Sequence, residues 1–176
     1  VKYRNIGPFR GGRSVSSVGV VNDPLTYYMG TAGGGLWKTT NAGSEWFNIS
    51  DDYFKTSSVG AIVVSESDSS IIYVGMGEHS PRGVTTSYGD GIYKSTDAGE
   101  TWEHLGLDNT QQISRIIIHP DDNNIVYVAA QGAINGPTKE RGVYKSIDGG
   151  KTWKNVLFVN ELSGASELSI DINNPK

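Results

Sequence analysis

Three copies of one short motif constrain this chain more than any other feature of its 176 residues. Each copy has a hydroxyl residue, an Asp or Asn two positions later, a Gly two beyond that, and a Trp three further on. The copies occupy residues 39–46, 95–102 and 146–153, and each follows an apolar-aromatic-Lys run. The Asp or Asn side chain can accept hydrogen bonds from its own turn, and Gly can adopt positive φ. The motif predicts a hairpin turn, and its recurrence indicates a repeat protein.

We assign the polar, glycine and tryptophan positions of this repeated turn to architecture. Each Trp is expected to fold back under its loop as an apolar anchor. The structural residues are Asn41, Gly43 and Trp46 in the first copy, Asp97, Gly99 and Trp102 in the second, and Asp148, Gly150 and Trp153 in the third.

Short runs of β-branched and aromatic residues surround each turn and predict four strands per repeat. First strands are predicted at residues 14–21, 59–65 and 113–119, and second strands at 26–30, 71–75 and 125–129. The run before each turn supplies a third strand, and a fourth opens with the Trp. Successive Trp residues lie 56 and 51 positions apart, a period that suits a four-stranded antiparallel unit with one long loop.

The pattern S/T-x-D-x-G-x-T-W resembles the Asp box of bacterial-neuraminidase (BNR) repeats. That resemblance implies an all-β fold, a β-propeller whose Asp boxes join the third and fourth strands of each blade on the rim away from the active face. We therefore expect an N-terminal segment (1–13), three complete blades (14–57, 58–110 and 111–160) and the start of a fourth (161–176), with its first strand at 165–171. Three blades do not close a ring, so the chain is expected to be a fragment of a larger propeller.

Segments 7–14, 33–40 and 73–78 are also similar to large secreted bacterial BNR-repeat proteins of the sortilin-like, glycosyl-hydrolase-like class. This similarity implies a bacterial protein that is secreted, periplasmic or on the cell surface. It supports the fold and the compartment more firmly than a reaction, because a fold does not fix an activity.

Composition excludes some partners. The net charge is −4 and the 15 basic residues form no stripe, so we expect no nucleic-acid partner. Without cysteine there is no disulfide and no thiolate metal site, and we expect neither a metal nor a cofactor. No apolar run is long enough to span a bilayer.

The loop at residues 76–90 holds the densest group of chemically capable side chains: Glu78, His79, Arg82, Tyr88 and Asp90. Two carboxylates at a suitable separation can serve glycoside hydrolysis, which makes Glu78 and Asp90 the catalytic candidates. The alternative is a solvated loop with local salt bridges. An exposed Tyr88 can stack on a sugar ring.

Three further residues are candidate ligand contacts: Arg10, Arg13 and Trp37. Phe9-Arg10 resembles the start of the sialidase Phe-Arg-Ile-Pro segment but continues as Gly-Gly, so Arg10 and Arg13 either bind a carboxylate ligand or tie the N-terminal segment to a blade. Trp37 can stack on a sugar.

The glycines at positions 33–35 resemble the Asp-Ile-Gly-Gly motif of xyloglucan-degrading propellers, and Thr31 stands where that motif has its Asp. A threonine cannot act as an acid or base near neutral pH. Glu140 and Arg141 are interpreted as an exposed ion pair of little energetic weight.

The sequence thus favours a non-catalytic segment that binds a polysaccharide, a peptide or a protein through loops 76–90 and 130–141. A second hypothesis is part of a glycoside hydrolase, sialidase-like or xyloglucanase-like, whose catalytic residues are completed outside the segment. A third is a building block that completes its ring with further blades of the same protein or by self-association.

Overall fold

The computed structural model, which describes residues 13–79 and 86–175, contains three antiparallel sheets of four strands each and a short 3-10 helix at Asp108–Thr110. The first sheet contains β1 (Ser14–Val20), β2 (Asp23–Thr31), β3 (Leu36–Thr39) and β4 (Phe47–Asn48). The second contains β5 (Val59–Val64), β6 (Ile72–Met76), β7 (Ile92–Ser95) and β8 (Glu103–His104). The third contains β9 (Ile113–His119), β10 (Asp122–Ala130), β11 (Gly142–Ser146) and β12 (Lys154–Leu157). Each sheet pairs consecutive strands, which is the order of a propeller blade.

The strand boundaries differ from the prediction at two kinds of position. The second strands of the first and third blades begin earlier, at Asp23 and Asp122, because the turns that precede them are tight. The fourth strands begin after the Trp and not at it, and in the second and third blades the Trp ring leaves the sheet to contact the preceding blade.

The predicted first strand of a fourth blade, at residues 165–171, is not formed. The Ala165 N–H donates to the Ala130 carbonyl (3.0 Å) and the Ser114 hydroxyl donates to the Ala165 carbonyl (2.9 Å). Beyond these contacts, no described residue forms a β-ladder with this segment. A strand requires a hydrogen-bonded neighbour, so these residues remain an extended segment beside β9.

The first strands of the three blades lie side by side, with β1 against β5 and β5 against β9. Gly60 in β5 shows how closely they approach, because a Cβ atom there would lie 2.2 Å from the Ile113 carbonyl oxygen. Only glycine tolerates this contact, so the blades converge on their first strands.

Two apolar cores fill the spaces between neighbouring blades. Alternation along each strand directs one set of side chains to each neighbour. The core between the first and second blades is built on Tyr28, Leu36, Val59, Val64, Ile72, Val74, Met76, Tyr93 and Trp102. The core between the second and third is built on Ala61, Tyr73, Ile92, Ile113, Ile116, Val126, Val128, Ala130 and Tyr144.

A second contact joins neighbouring blades at the rim, where the repeated turn of one blade docks on the blade before it. The Tyr28 hydroxyl (3.0 Å) and the Lys38 ammonium (2.8 Å) both donate to the Ala98 carbonyl. Trp102 Nε1 donates to the Ile49 carbonyl at 3.0 Å. We call this set of three hydrogen bonds the blade joint.

The blade joint is repeated between the second and third blades. The Tyr73 hydroxyl (2.9 Å) and the Lys94 ammonium (3.1 Å) donate to the Gly149 carbonyl. Trp153 Nε1 donates to the Leu105 carbonyl at 2.9 Å. Burial lowers the pKa of Lys94 and raises that of Tyr73, as expected for groups enclosed between two sheets.

Inside the turn, the carboxylate of Asp97 accepts hydrogen bonds from the Thr101 hydroxyl (2.6 Å), the Thr101 N–H (2.9 Å) and the Ser95 hydroxyl (2.7 Å). These bonds favour the ionised form and lower the Asp97 pKa to about 2. Gly99, at φ 92°, allows the chain to reverse where the Trp102 ring packs. Asp148 makes the same three bonds, its pKa is also lowered to about 2, and Gly150 has φ 93°.

We expect Trp102→Ala and Trp153→Ala each to lower the free energy of unfolding by about 3–5 kcal/mol, because each removes a large ring from an interface between blades. Trp46→Ala is the matched control, since Trp46 is half-buried and makes no joint with a preceding blade in the described chain. Chemical denaturation measures all three. Equal losses in the free energy of unfolding for all three variants would contradict a stabilising role of the blade joint.

Acid should weaken the turns. The pKa of Asp97 and Asp148 is about 2 when folded and about 3.9 when unfolded, so the unfolded chain binds more protons between these values. Their contribution to stability is complete above pH 4 and is lost as the pH falls from 4 to 2. Chemical denaturation between pH 4 and pH 2 measures the free energy of unfolding. This free energy should fall less steeply in the double variant Asp97→Asn/Asp148→Asn than in wild type. The exposed Asp121→Asn control should follow wild type.

Candidate functional site

The loops of the three blades divide between two edges of the array. Consecutive antiparallel strands run in opposite directions, so the connections β2–β3 and β4–β5, and their equivalents, emerge at one edge. The repeated turns emerge at the opposite edge. The predicted loops 76–90 and 130–141 therefore share the edge away from the turns, which we call the loop face.

Three adjoining cavities form a groove across the loop face. The first, about 530 Å³, lies between the segment that joins the first two blades and the loop after β6. The second, about 250 Å³, shares Thr86 and Tyr88 with the first. The third, about 230 Å³, shares Gln112 and Ile134 with the second. Tyr88 is 67% exposed and forms a ridge between the first two cavities.

The groove lining is polar but carries little charge. Its ionisable side chains among the described residues are Asp51, Lys55 and Arg141. Hydroxyls, amides and backbone groups make up most of the rest, together with apolar surface from Phe54, Tyr88 and Ile134. Such a lining suits an uncharged polar ligand that also offers an apolar face.

Three equivalent residues, Arg13, Ser58 and Gln112, precede the first strands of the three blades at the floor of the loop face. Each carbonyl accepts a hydrogen bond from the N–H of the first residue after the second strand of the same blade. The distances from the backbone nitrogen to the carbonyl oxygen are 3.0 Å for Ala32 and Arg13, 2.7 Å for Gly77 and Ser58, and 2.9 Å for Gln131 and Gln112. The fold thus repeats one backbone position three times, with a different side chain at each.

Glu78, one of the two catalytic candidates, is only 2% exposed and forms an ion pair with Arg13. Its other carboxylate oxygen lies 3.5 Å from the Ser87 N–H. The ion pair ties the residue before the first blade to the loop of the second. Arg13 therefore contacts a carboxylate of the protein itself.

Asp90, the other candidate, has both carboxylate oxygens engaged. The Thr56 hydroxyl donates to one oxygen at 2.7 Å, and the Tyr93 hydroxyl donates to the other at 2.6 Å. Burial and the Asp90 contact raise the Tyr93 pKa to about 12, so that hydroxyl stays a donor. Asp90 thereby fastens the segment between the first two blades to the loop of the second.

The remaining predicted contacts are dispersed. Tyr88 lines the groove, whereas His79 is half-buried beside Glu78 and its Nδ1 has no hydrogen-bond partner among the described residues. Trp37 lies in β3, donates from Nε1 to the Gly34 carbonyl at 2.8 Å and lines none of the three cavities. Arg10 and Arg82 lie outside the described residues.

The interpretation of Arg141 as half of an exposed ion pair is wrong. Arg141 is 8% exposed, and its guanidinium donates to the carbonyls of Gln131, Ala133 and Gly136. A planar group with five donors can gather several carbonyls at once, which a sequence pattern does not reveal. Arg141 thereby fixes the shape of the loop that forms one end of the groove.

Within residues 13–79 and 86–175, no group of three His, Asp or Glu side chains is placed to hold a metal ion. In the same part of the chain, no helix has the length and apolar character needed to cross a membrane.

The chain is similar in sequence to a xyloglucanase and in structure to several solved proteins. No family model matches it. It is 26% identical over 144 residues to a xyloglucanase of a Paenibacillus species, an alignment that covers 73% of this chain and 13% of the relative.

Solved structures show the same architecture. An ancestral GH74 enzyme matches 92% of this chain and 20% of its own, with a TM-score of 0.69 and 22% identity. The Niastella koreensis GH74 enzyme matches 76% of this chain and 20% of its own, with a TM-score of 0.55 and 28% identity. The structure of YCF48 bound to D1 peptide matches 85% of this chain and 41% of its own, with a TM-score of 0.58 and 14% identity. The chain is a β-propeller array, and it spans a fifth or less of the GH74 enzymes and the xyloglucanase.

Proposed function

We propose that the chain is a polysaccharide-binding, non-catalytic part of a glycoside-hydrolase-like β-propeller and that it holds a glycan in the groove of the loop face. The observation that carries this proposal is the groove itself, in which an exposed Tyr88 stands between two polar cavities. Aromatic rings bind the apolar face of a sugar, and amides and hydroxyls bind its edge.

The similarity to a xyloglucanase and to the Niastella koreensis GH74 enzyme supports a glycan as the ligand, and among glycans it favours xyloglucan. The chain corresponds to a small share of each protein. Turnover by a longer protein would thus rely on carboxylates outside these 176 residues.

Within the chain, the groups that hydrolysis needs are committed to structure. Thr31, aligned with the Asp of the related motif, donates from its hydroxyl to the Gly35 carbonyl and accepts from the Gly34 N–H, both at 3.0 Å. Glu78 is enclosed with Arg13, and Asp90 is saturated by two hydroxyl donors. Both carboxylates thus hold loops and blades together, which argues against their acting as the acid and nucleophile of a hydrolase.

The finer assignments of the repeat belong to the same proposal. We propose that the repeated turns are Asp boxes of the BNR type, that the protein is bacterial and of the sortilin-like class, and that it acts outside the cytoplasm. We also propose blade boundaries at residues 57, 110 and 160, with residues 161–176 as the start of a fourth blade.

Further blades are proposed from the joint. Tyr127 and Lys145 pair across β10 and β11 as Tyr28 and Lys38 do across β2 and β3. Neither side chain hydrogen-bonds to a turn within the described chain, so this half of a joint is available to a following blade. Self-association through the same face, and a peptide or protein ligand in the groove, are the alternative partners.

We expect Tyr88→Ala to weaken binding of xyloglucan oligosaccharides roughly tenfold, because it removes the exposed ring from the groove. Phe47→Ala is the matched control, an exposed aromatic that lines none of the groove cavities. Isothermal titration measures both. Equal affinities of wild type and Tyr88→Ala would contradict the proposed site.

We expect the 176-residue chain to release no reducing ends from xyloglucan and to hydrolyse neither sialosides nor aryl-glycosides. The physical reason is that its carboxylates in the loop face are held in structural contacts. A reducing-end assay measures turnover. Activity that disappears in Glu78→Gln or Asp90→Asn, with the fold retained by circular dichroism, would overturn the non-catalytic assignment.

A further inference from the structure

We infer that Ser58 and Gln112 are specificity-determining residues of the groove, and that their side chains select an uncharged glycan by hydrogen bonding to its hydroxyl groups. The inference rests on the proposed glycan-binding function. It adds the class of ligand and the two residues that recognise that ligand by hydrogen bonding.

Both residues occupy the repeated floor position before a first strand. Their backbones are fixed there by the bonds from Gly77 to Ser58 and from Gln131 to Gln112. Gly77, at φ 100°, has no room for a side chain, because a Cβ atom would lie 2.0 Å from the Gln111 carbonyl oxygen. The Ser58 and Gln112 side chains are therefore held by a rigid backbone, as a selective site requires.

Both side chains are enclosed, and one oxygen atom of each lacks a hydrogen-bond partner among the described residues. Ser58 is 1% exposed and Gln112 is 2% exposed. The Ser58 hydroxyl and the Gln112 Oε1 atom form no hydrogen bond with any described residue. Enclosed polar groups of folded proteins are nearly always paired, with protein, water or ligand. Two such groups at equivalent positions, both lining the groove, are therefore available to pair with a ligand bound there.

The two residues lie in different cavities of the groove. Ser58 lines the cavity of about 530 Å³, and Gln112 lines both smaller cavities. The Tyr88 ridge stands between the largest cavity and the next. An extended glycan lying over Tyr88 would thus meet a hydroxyl on one side of the ring and an amide on the other.

The charges of the groove favour a neutral glycan over a polyuronate. Asp51 and Lys55 in the first cavity have opposite signs, and the guanidinium of Arg141 in the third is occupied by three carbonyls. A row of sugar carboxylates would meet only two described cations in the lining, Lys55 in the first cavity and Arg141 in the third. A neutral glycan needs no such cation, since hydroxyls and amides suffice.

The test uses Ser58→Ala and Gln112→Met, which remove the hydrogen-bonding groups and largely keep side-chain volume. Ser16→Ala is the matched control, because the Ser16 hydroxyl is likewise buried and unpaired but lines no cavity of the groove. Titration with a xyloglucan oligosaccharide and with oligogalacturonate measures affinity. Thermal unfolding of the same samples measures stability.

We expect Ser58→Ala and Gln112→Met each to lower xyloglucan affinity by about 5- to 20-fold while the melting temperature stays equal or rises. Ser16→Ala should bind as wild type does, and oligogalacturonate should bind more weakly than xyloglucan. Unchanged affinity in both groove variants, with Tyr88→Ala still impaired, would overturn this inference alone. Tighter binding of oligogalacturonate would also overturn it. No glycan binding by the wild-type chain would overturn the proposed function as well.

Discussion

The architecture depends on the blade joint, in which a tyrosine hydroxyl and a lysine ammonium of one blade donate to the turn carbonyl of the next. Two donors on one carbonyl fix the distance between neighbouring sheets, and the tryptophan of the same turn fixes their angle. The Lys94 ammonium also lies 5.2 Å from the Tyr73 ring centroid, so the two donors support each other. A small set of polar contacts thereby sets the geometry that the apolar cores then fill.

That geometry places the structural turns at one end of the strands and the proposed binding groove at the other. The turns occupy one edge, where their aspartates are saturated by hydrogen bonds within the turn. The loop face occupies the other edge, where the three floor positions converge because the first strands do. Sequence can vary in the loops without disturbing the joints, which is how one scaffold can present different binding surfaces. The groove follows from this arrangement, as its cavities lie where loops of neighbouring blades meet.

Much of the fold could be predicted from the sequence because its signals are local. The turn motif identifies the hairpins, and the β-branched runs identify the strands. The joint could not be predicted, although a lysine precedes every turn, because its acceptor lies about 55 to 60 residues away on the next blade. The segment at 165–171 has the composition of a strand, yet a strand also needs a neighbour.

Less of the candidate site than of the fold could be predicted from the sequence. Tyr88 could be singled out as an aromatic residue in a long loop, but Trp37 carries the same signal and lies outside the groove. Ser58 and Gln112 were missed because the floor position holds Arg, Ser and Gln in the three blades, which share no chemistry. The one available signal was positional, since each residue stands immediately before a first strand.

The central claim, that the loop face binds a glycan and the turn edge does not, is tested most directly by hydrogen exchange with and without a xyloglucan oligosaccharide. The account predicts added protection of backbone amides at residues 50–58, 86–91 and 111–112, which border the groove. Amides of the turns at 95–102 and 146–153 should exchange at unchanged rates. Protection confined to the turns, or none anywhere at saturating oligosaccharide, would contradict it.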